Sequence, residues 1–208
     1  MKLWSDNFSE GGKIPEEFAF GKYHPEKHME LSDNKNPHLA WSDLPKGTRS
    51  LVLICHDPDV PSVFDDAEQE GKIVAASLPR VDFYHWVLVD ILPDIKSIAP
   101  GEFSDGVIPG GKSGPEAPLG TRQGINDYTQ GYVGDPEMAG DYFGYDGPCP
   151  PWNDEKIHHY HFTLYALNLD CCPVEGRFSS SDVLQAIEGN ILEKAALTGT
   201  YHIYPNPR

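Results

Sequence analysis

Leu51-Val52-Leu53-Ile54-Cys55-His56-Asp57-Pro58-Asp59-Val60-Pro61 joins two kinds of sequence that seldom sit side by side. Its first five positions are apolar without interruption, as expected of a strand covered on both faces. Its last five mix carboxylates with prolines, the composition of a turn. A buried strand is therefore expected to end in a rigid, acidic corner, and a tight turn makes Val60-Pro61 a candidate cis peptide bond. Two further segments read as strands. Trp86-Val87-Leu88-Val89, then Ile91-Leu92, is β-branched and aromatic up to Pro93. Tyr160 to Leu169 alternates, with Phe162, Leu164 and Ala166 on one face and His161, Thr163 and Tyr165 on the other.

The rest of the chain is organised around these strands. Gly11-Gly12, Pro15, Pro25, Pro37, Pro45 and Gly47 divide the first third into short segments, Leu3 to Phe8, Phe18 to Phe20 and His28 to Leu31, which suit short strands joined by turns. Twelve of the 20 glycines fall between Gly101 and Gly147, so the region from Pro93 to Tyr145 is a long irregular segment. Its aromatic residues, Tyr128, Tyr132, Tyr142, Phe143 and Tyr145, predict that it packs in an ordered way on the domain. Within it, Gly111-Lys112-Ser113-Gly114 reads as a mobile glycine loop. Ser179 and Asp182 form an S-x-x-D capping box. Val183, Leu184, Ile187, Ile191, Leu192 and Ala195 then follow at helical spacing, so a C-terminal helix is expected to run on to Gly199. No linker separates two cores, and a single β-rich domain over 1–208 is expected.

The chain carries a net charge of −16. Long-range attraction to nucleic acid or to an anionic membrane face is excluded as a mode of action. An anion pocket is not excluded, because exposed charges beyond about 8 Å are screened at physiological salt and local donors decide binding. Cys55, Cys149, Cys171 and Cys172 form no C-x-x-C pair, which suggests reduced thiols in a reducing compartment. Met1-Lys2-Leu3-Trp4-Ser5-Asp6 lacks the pattern of a signal peptide, and no run reaches the ~18 apolar residues of a membrane span. A cytoplasmic location without a transmembrane segment is the expectation.

Three clusters at strand ends could carry chemistry. They are His56-Asp57-Pro58-Asp59-Val60-Pro61, Tyr84-His85-Trp86, and Gly147-Pro148-Cys149-Pro150-Pro151 followed by His158-His159-Tyr160-His161. Strand alternation places His159 and His161 on one face with no third ligand spaced to join them, so no metal is expected. A serine hydrolase lacks its G-x-S-x-G elbow, and the glycine stretch around Lys112 is not read as a P-loop. No activated nucleophile is found, so no catalytic residue is assigned.

Taken together the clusters resemble the phosphatidylethanolamine-binding (Raf kinase inhibitor-like) family, in its prokaryotic branch. The resemblance runs through Phe8-Ser9-Glu10-Gly11-Gly12-Lys13-Ile14-Pro15, Asn36-Pro37-His38-Leu39-Ala40-Trp41-Ser42 and Leu44-Pro45-Lys46-Gly47-Thr48. It continues in the D-P-D-x-P of Asp57 to Pro61 and the H-W-V-L-V of His85 to Val89. Asn126-Asp127-Tyr128 with Gly131-Tyr132, Gly147-Pro148 through His158-His159-Tyr160, and Gly199-Thr200-Tyr201 complete it. It implies an antiparallel β-sandwich of two sheets with a C-terminal helix, and a small pocket for phosphate-like anions or phospholipid head groups. By that resemblance the pocket wall is Asp57, His85, Gly147, Pro148, His158 and Tyr160, with Asp59, Pro61, Pro150 and Pro151 at the rim. Asp57 beside a histidine is expected to favour that ring's charged form.

The sequence departs from the family pattern at His159, where Arg is usual, at Asp90, and at the bulky acidic link Trp152-Asn153-Asp154-Glu155-Lys156. The expected function is non-enzymatic anion binding without a cofactor. By family analogy it regulates a kinase or protease, and a homodimer is expected on the same ground. The alternatives are a small-molecule hydrolase or isomerase using His85 or His158 as general acid–base, and a protein-interaction scaffold.

Overall fold

In a computed structural model that describes residues 1–203, the apolar run at 51–55 becomes the centre of the largest sheet. In chain order the elements are β1 (Lys2–Trp4), β2 (Gly21–His24), β3 (His28–Leu31), β4 (Leu39–Ser42), β5 (Ser50–Pro61), β6 (Arg80–Ile91), β7 (Ser97–Ile98), β8 (Arg122–Gln123), α1 (Tyr128–Gly131), β9 (His158–Leu167), α2 (Ser180–Ile187) and β10 (Ile191–Tyr201). Five strands form an antiparallel sheet in the order β10-β9-β5-β6-β8, and β1-β4-β7 form a smaller one. β2 and β3 pair as a separate hairpin.

The pleat sorts the side chains of β5 onto two cores. Leu51, Leu53 and Cys55 join Trp86, Leu88, Phe162 and Leu164 in a cluster that also holds Leu39, Trp41 and Ile98 of the small sheet. Val52 and Ile54, with Val87 and Val89, face the other way and pack on Val183 and Ile187 of α2. The run is apolar at every position because both faces are covered, one by a second sheet and one by a helix. At about 25 cal/mol per Å² of buried apolar surface, these two clusters supply the main drive to fold.

Three expectations need correction. The Asp57-Pro58-Asp59 segment is no turn: β5 continues to Pro61, and a register shift between Asp57 and Val60 takes up the extra residue as a bulge. The chain does not reverse there, and the cis bond among the described residues is Gly114-Pro115. The C-terminal helix starts where expected, with both halves of the Ser179–Asp182 capping box formed, but it stops at Ile187. Gly189 takes a φ of +77°, a conformation that suits glycine, and Ile191, Leu192 and Ala195 lie on β10 instead. Gly199 is a strand residue as well, paired with Tyr160, and a Cβ there would meet Ile14 Cγ1 at 2.5 Å.

All four cysteines are free thiols. Among the described residues no helix is long and apolar enough to cross a membrane.

Candidate functional site

Two irregularities in the β5–β6 ladder shape the site. Cys55 pairs with Trp86 and His56 with Tyr84, which leaves His85 as an extra residue on β6. The second irregularity is the Asp57–Val60 bulge on β5. A bulge re-aims side chains that a regular pleat would place elsewhere. Here His85 and Asp57 are brought to the same buried region as His158 and Tyr160 on β9. His85 and Tyr160 sit edge to face, with ring centroids 5.1 Å apart. Phe83 and Tyr128 close the other sides of the His85 ring, at 4.9 and 5.7 Å.

His158 holds the acidic side together. Its Nδ1 donates to Asp57 Oδ2 at 2.7 Å and its Nε2 to Asp154 Oδ2 at 3.2 Å. Burial pulls its pKa down, but the bonds to the two carboxylates and their charges outweigh burial and raise it to about 9. The ring is therefore an imidazolium at neutral pH, as the sequence suggested for a histidine beside Asp57. With both N–H groups committed, it fixes Asp57 and offers no free donor to a ligand. Asp154 in turn receives both terminal nitrogens of Arg80. Burial pushes the Asp154 carboxyl up, and its bonds to His158 and Arg80 bring it below the ordinary range. Asp59 is held from the rim side by Lys156 Nζ at 2.6 Å and His159 Nδ1 at 2.8 Å.

A second buried carboxylate anchors His85 from behind. Asp146 accepts from Asn34 Nδ2 and Asn126 Nδ2, both at 2.7 Å, and pairs with Lys112 Nζ at 3.0 Å. Its backbone carbonyl receives His85 Nδ1 at 2.8 Å, and its N–H donates to the His85 carbonyl. A carbonyl only accepts, so Nδ1 carries the proton. Burial lowers the His85 pKa by more than Asp57 and the Asp146 carbonyl raise it. The ring is thus neutral, with a bare lone pair on Nε2.

Gly147 and Pro148 follow Asp146 in the chain and are buried. The Gly147 N–H donates to Asn34 Oδ1, and its carbonyl accepts from the Tyr128 hydroxyl at 2.8 Å. A Cβ on Gly147 would lie 2.1 Å from the Phe18 carbonyl, so only glycine fits. The Pro148 carbonyl takes the Phe20 and Gly21 N–H groups, and Pro150 and Pro151 are also buried. Pro61 ends β5 opposite Arg80.

Among the described residues, the buried side-chain atoms with no hydrogen-bond partner are His85 Nε2 and Tyr160 Oη. Burial first, then the nearby Asp57 charge, hold the Tyr160 phenol protonated, and its hydroxyl lies close to Asp57 without reaching ordinary hydrogen-bond geometry. His85 is 3% exposed and Tyr160 1%, so the expected pocket is a closed cluster rather than an open cavity. Open grooves do exist elsewhere. One of about 410 Å³ is lined by Val174, Phe178 and Asp182 beside α2, and one of about 470 Å³ by Asp90, Arg122 and Cys171. Neither contains any of the residues expected at the site.

Several members of this network were not assigned a site role from the sequence, among them Asp154, Asp146, Lys112, Arg80, Asn34 and Asn126. The stretch around Lys112 does carry P-loop spacing, Gly106-Val107-Ile108-Pro109-Gly110-Gly111-Lys112-Ser113, so spacing is no ground for dismissing it. The structure supplies the ground, since no α-helix opens at Ser113 and Lys112 is spent on Asp146. Nor is the stretch a mobile loop, because Lys112 bridges Tyr142 and its N–H donates to the Asp141 carbonyl. Tyr128, Tyr142, Phe143 and Tyr145 are buried as expected of an ordered segment. Among the described residues no group of three or more His, Cys, Asp or Glu is placed to hold a metal ion. His161 instead lies with Nδ1 3.0 Å from Thr198 Oγ1.

Comparison with known proteins gives a consistent picture. The family model described as phosphatidylethanolamine-binding protein matches residues 4–202. The chain is 31% identical over 201 residues to a UPF0098 protein of Methanothermobacter thermautotrophicus, covering 97% of this chain and 98% of that one. Among solved structures it is similar to Escherichia coli YbcL, with a TM-score of 0.67 at 25% identity and 97% of each chain covered. It is also similar to the homolog CT736 of Chlamydia trachomatis, with a TM-score of 0.65 at 27% identity, covering 97% of this chain and 96% of that one.

Proposed function

The chain belongs to the phosphatidylethanolamine-binding protein family, in its prokaryotic branch, and we propose that it binds small phosphate-bearing or phospholipid-head-group-like anions at His85 and Tyr160 without turning them over. One observation carries this reading: His85 Nε2 and Tyr160 Oη are buried and make no hydrogen bond of ordinary geometry, on rings whose centroids lie 5.1 Å apart. Leaving such a group unmade costs about 1–3 kcal/mol, so a protein that keeps two of them on neighbouring rings holds them for a ligand. The His158 imidazolium supports the reading by offsetting the Asp57 charge that would otherwise repel an anion. Access requires the covering rings, Phe83 and Tyr128 among them, to move.

Catalysis has less support. General acid–base chemistry needs a second group poised to exchange protons with substrate, and both His158 nitrogens are occupied. In this reading a kinase or protease partner would respond to ligand occupancy.

Tyr160→Phe separates binding from folding. It removes the orphan hydroxyl, so stability in urea is expected to be unchanged or higher. Phosphate affinity by calorimetry at pH 6 is expected to fall about tenfold or more. His85→Ala is expected to weaken binding by at least as much. Undiminished affinity in both variants would reject the site, and phosphate-ester turnover lost in His85→Ala would replace binding with catalysis.

A further inference from the structure

We infer that His56 and His161 form a surface site for a divalent transition-metal ion, Cu²⁺ foremost, held by two imidazole nitrogens with water in its remaining positions. The site is separate from the buried cluster around His85 and does not depend on the anion-binding reading.

The register of the large sheet brings the two rings together. Along the chain His161 looks paired with His159, two residues away on β9. Across the sheet its direct partner is His56 of β5, which also faces Tyr84 of β6, while Thr198 of β10 stands on the far side of His161. Directly opposed residues share a face of the sheet. On β5 this is the face where Val52 and Ile54 meet α2, and at His56 and His161 it is half exposed. A row of Tyr84, His56, His161 and Thr198 thus crosses four strands. Its ring centres lie 5.6 Å apart between Tyr84 and His56, and 5.3 Å apart between His56 and His161.

The second spacing suits a single ion. With metal–nitrogen bonds of about 2.0–2.1 Å and angles of about 90–110° at the metal, two imidazoles on one ion have ring centres roughly 4.5–5.3 Å apart. A nitrogen lone pair lies in the plane of its ring, so two rings share an ion only where their planes meet. The planes of His56 and His161 are inclined at 37°. His159 and His161 are stacked at 13° with centres 6.5 Å apart, so their lone pairs run side by side instead of converging.

The surroundings favour a metal in the same way. His161 Nδ1 lies 3.0 Å from Thr198 Oγ1, and an N–H donated there leaves the lone pair on Nε2, the outer contact typical of a ligating histidine. Neither ring nitrogen of His56 has a hydrogen-bond partner among the described residues. The Asp82 carboxylate acts on His56 and the chain carries a net charge of −16, so the local field draws cations. Among the described residues no third His, Cys, Asp or Glu is placed to join the pair, so the ion keeps water. Imidazole suits Cu²⁺, Ni²⁺ and Zn²⁺, whereas Mg²⁺ and Ca²⁺ prefer oxygen, and Cu²⁺ stands highest in the affinity order.

Calorimetric titration with Cu²⁺ at pH 7.5 tests this on the full chain carrying Cys171→Ser, which removes an exposed thiol as a competing ligand. One ion is expected to bind, with an electron paramagnetic resonance spectrum coupled to two nitrogens. His56→Gln and His161→Gln are each expected to weaken binding by about tenfold or more, since loss of an outer-shell partner alone commonly costs that much. Each is also expected to leave a single coupled nitrogen. His159→Gln is expected to leave the affinity unchanged, and Mg²⁺ and Ca²⁺ are expected not to compete. The nitrogen count is read on the intact pair, so it tests the site even where a variant fails to fold. Undiminished affinity in both single variants, a loss that follows His159 rather than His56, or a spectrum without nitrogen coupling would overturn the proposal.

Discussion

Replacing Asp146 with alanine is expected to lower stability by about 3–5 kcal/mol, the cost of breaking a buried ion pair from one side. Asp146 is fully buried, and its carboxylate satisfies Lys112, Asn34 and Asn126 together. Its removal strands an ammonium that is itself 9% exposed, along with two amide groups that each lose one of two acceptors. Burial already lowers the Lys112 pKa against the pull of Asp146, so without the carboxylate this lysine is expected to lose its proton rather than remain a buried cation. For a chain of this size the loss corresponds to a melting temperature lower by roughly 6–20 °C. Asp146→Asn combined with Lys112→Met removes both charges at similar volume and is expected to recover most of the loss. Calorimetric melting of the three proteins checks this. A single variant within 1 kcal/mol of wild type would show that the pair carries little of the structure.

The second large effect is the pH dependence built into His158. Its folded pKa is about 9, against an ordinary value near 6.5. A histidine shifted upward contributes stability that is fully present below pH 6.5 and is lost as pH rises through 9. The shift corresponds to about 3 kcal/mol. His158→Gln keeps a polar side chain but cannot charge. The stability gap between wild type and His158→Gln is therefore expected to be widest below pH 6.5 and to shrink by about 3 kcal/mol above pH 9. Taking the difference between the two proteins cancels groups they share, including Lys112. His85 acts in the opposite sense: its lowered pKa costs stability as pH falls below its ordinary range. Urea unfolding of both proteins from pH 5.5 to 9.5 measures these limbs, and a gap independent of pH would mean that His158 is not charged in the fold.

How far the sequence reveals this molecule depends on the range of the interactions concerned. β5, β6 and β9 are legible because alternation or unbroken apolar character is a local property, and the capping box at Ser179 is local too. The end of α2 is not legible. Ile191, Leu192 and Ala195 continue a helical period by coincidence, and only Glu188-Gly189-Asn190 marks the break. The acidic corner at 57–61 reads as a turn because bulges depend on the partner strand, here the count of residues between Phe83 and Val81. Asp57, His85, His158 and Tyr160 could be gathered by resemblance, and the two bulges explain how they meet. Asp154 was visible only as part of an unusual acidic link, since its role depends on Arg80, 74 positions away. Asp146 and Lys112 left a fainter signal: a charge lodged between Tyr145 and Gly147, and a lysine among glycines. Each looks like surface until the other is placed beside it.

The most direct test of the account is a crystal structure grown with methyl phosphate at pH 6. The expected result is a phosphoryl group within hydrogen-bonding distance of both His85 Nε2 and Tyr160 Oη, with Phe83 or Tyr128 displaced to admit it. A ligand seated only in the open grooves beside α2 or Arg122, with those two atoms still without partners, would contradict it.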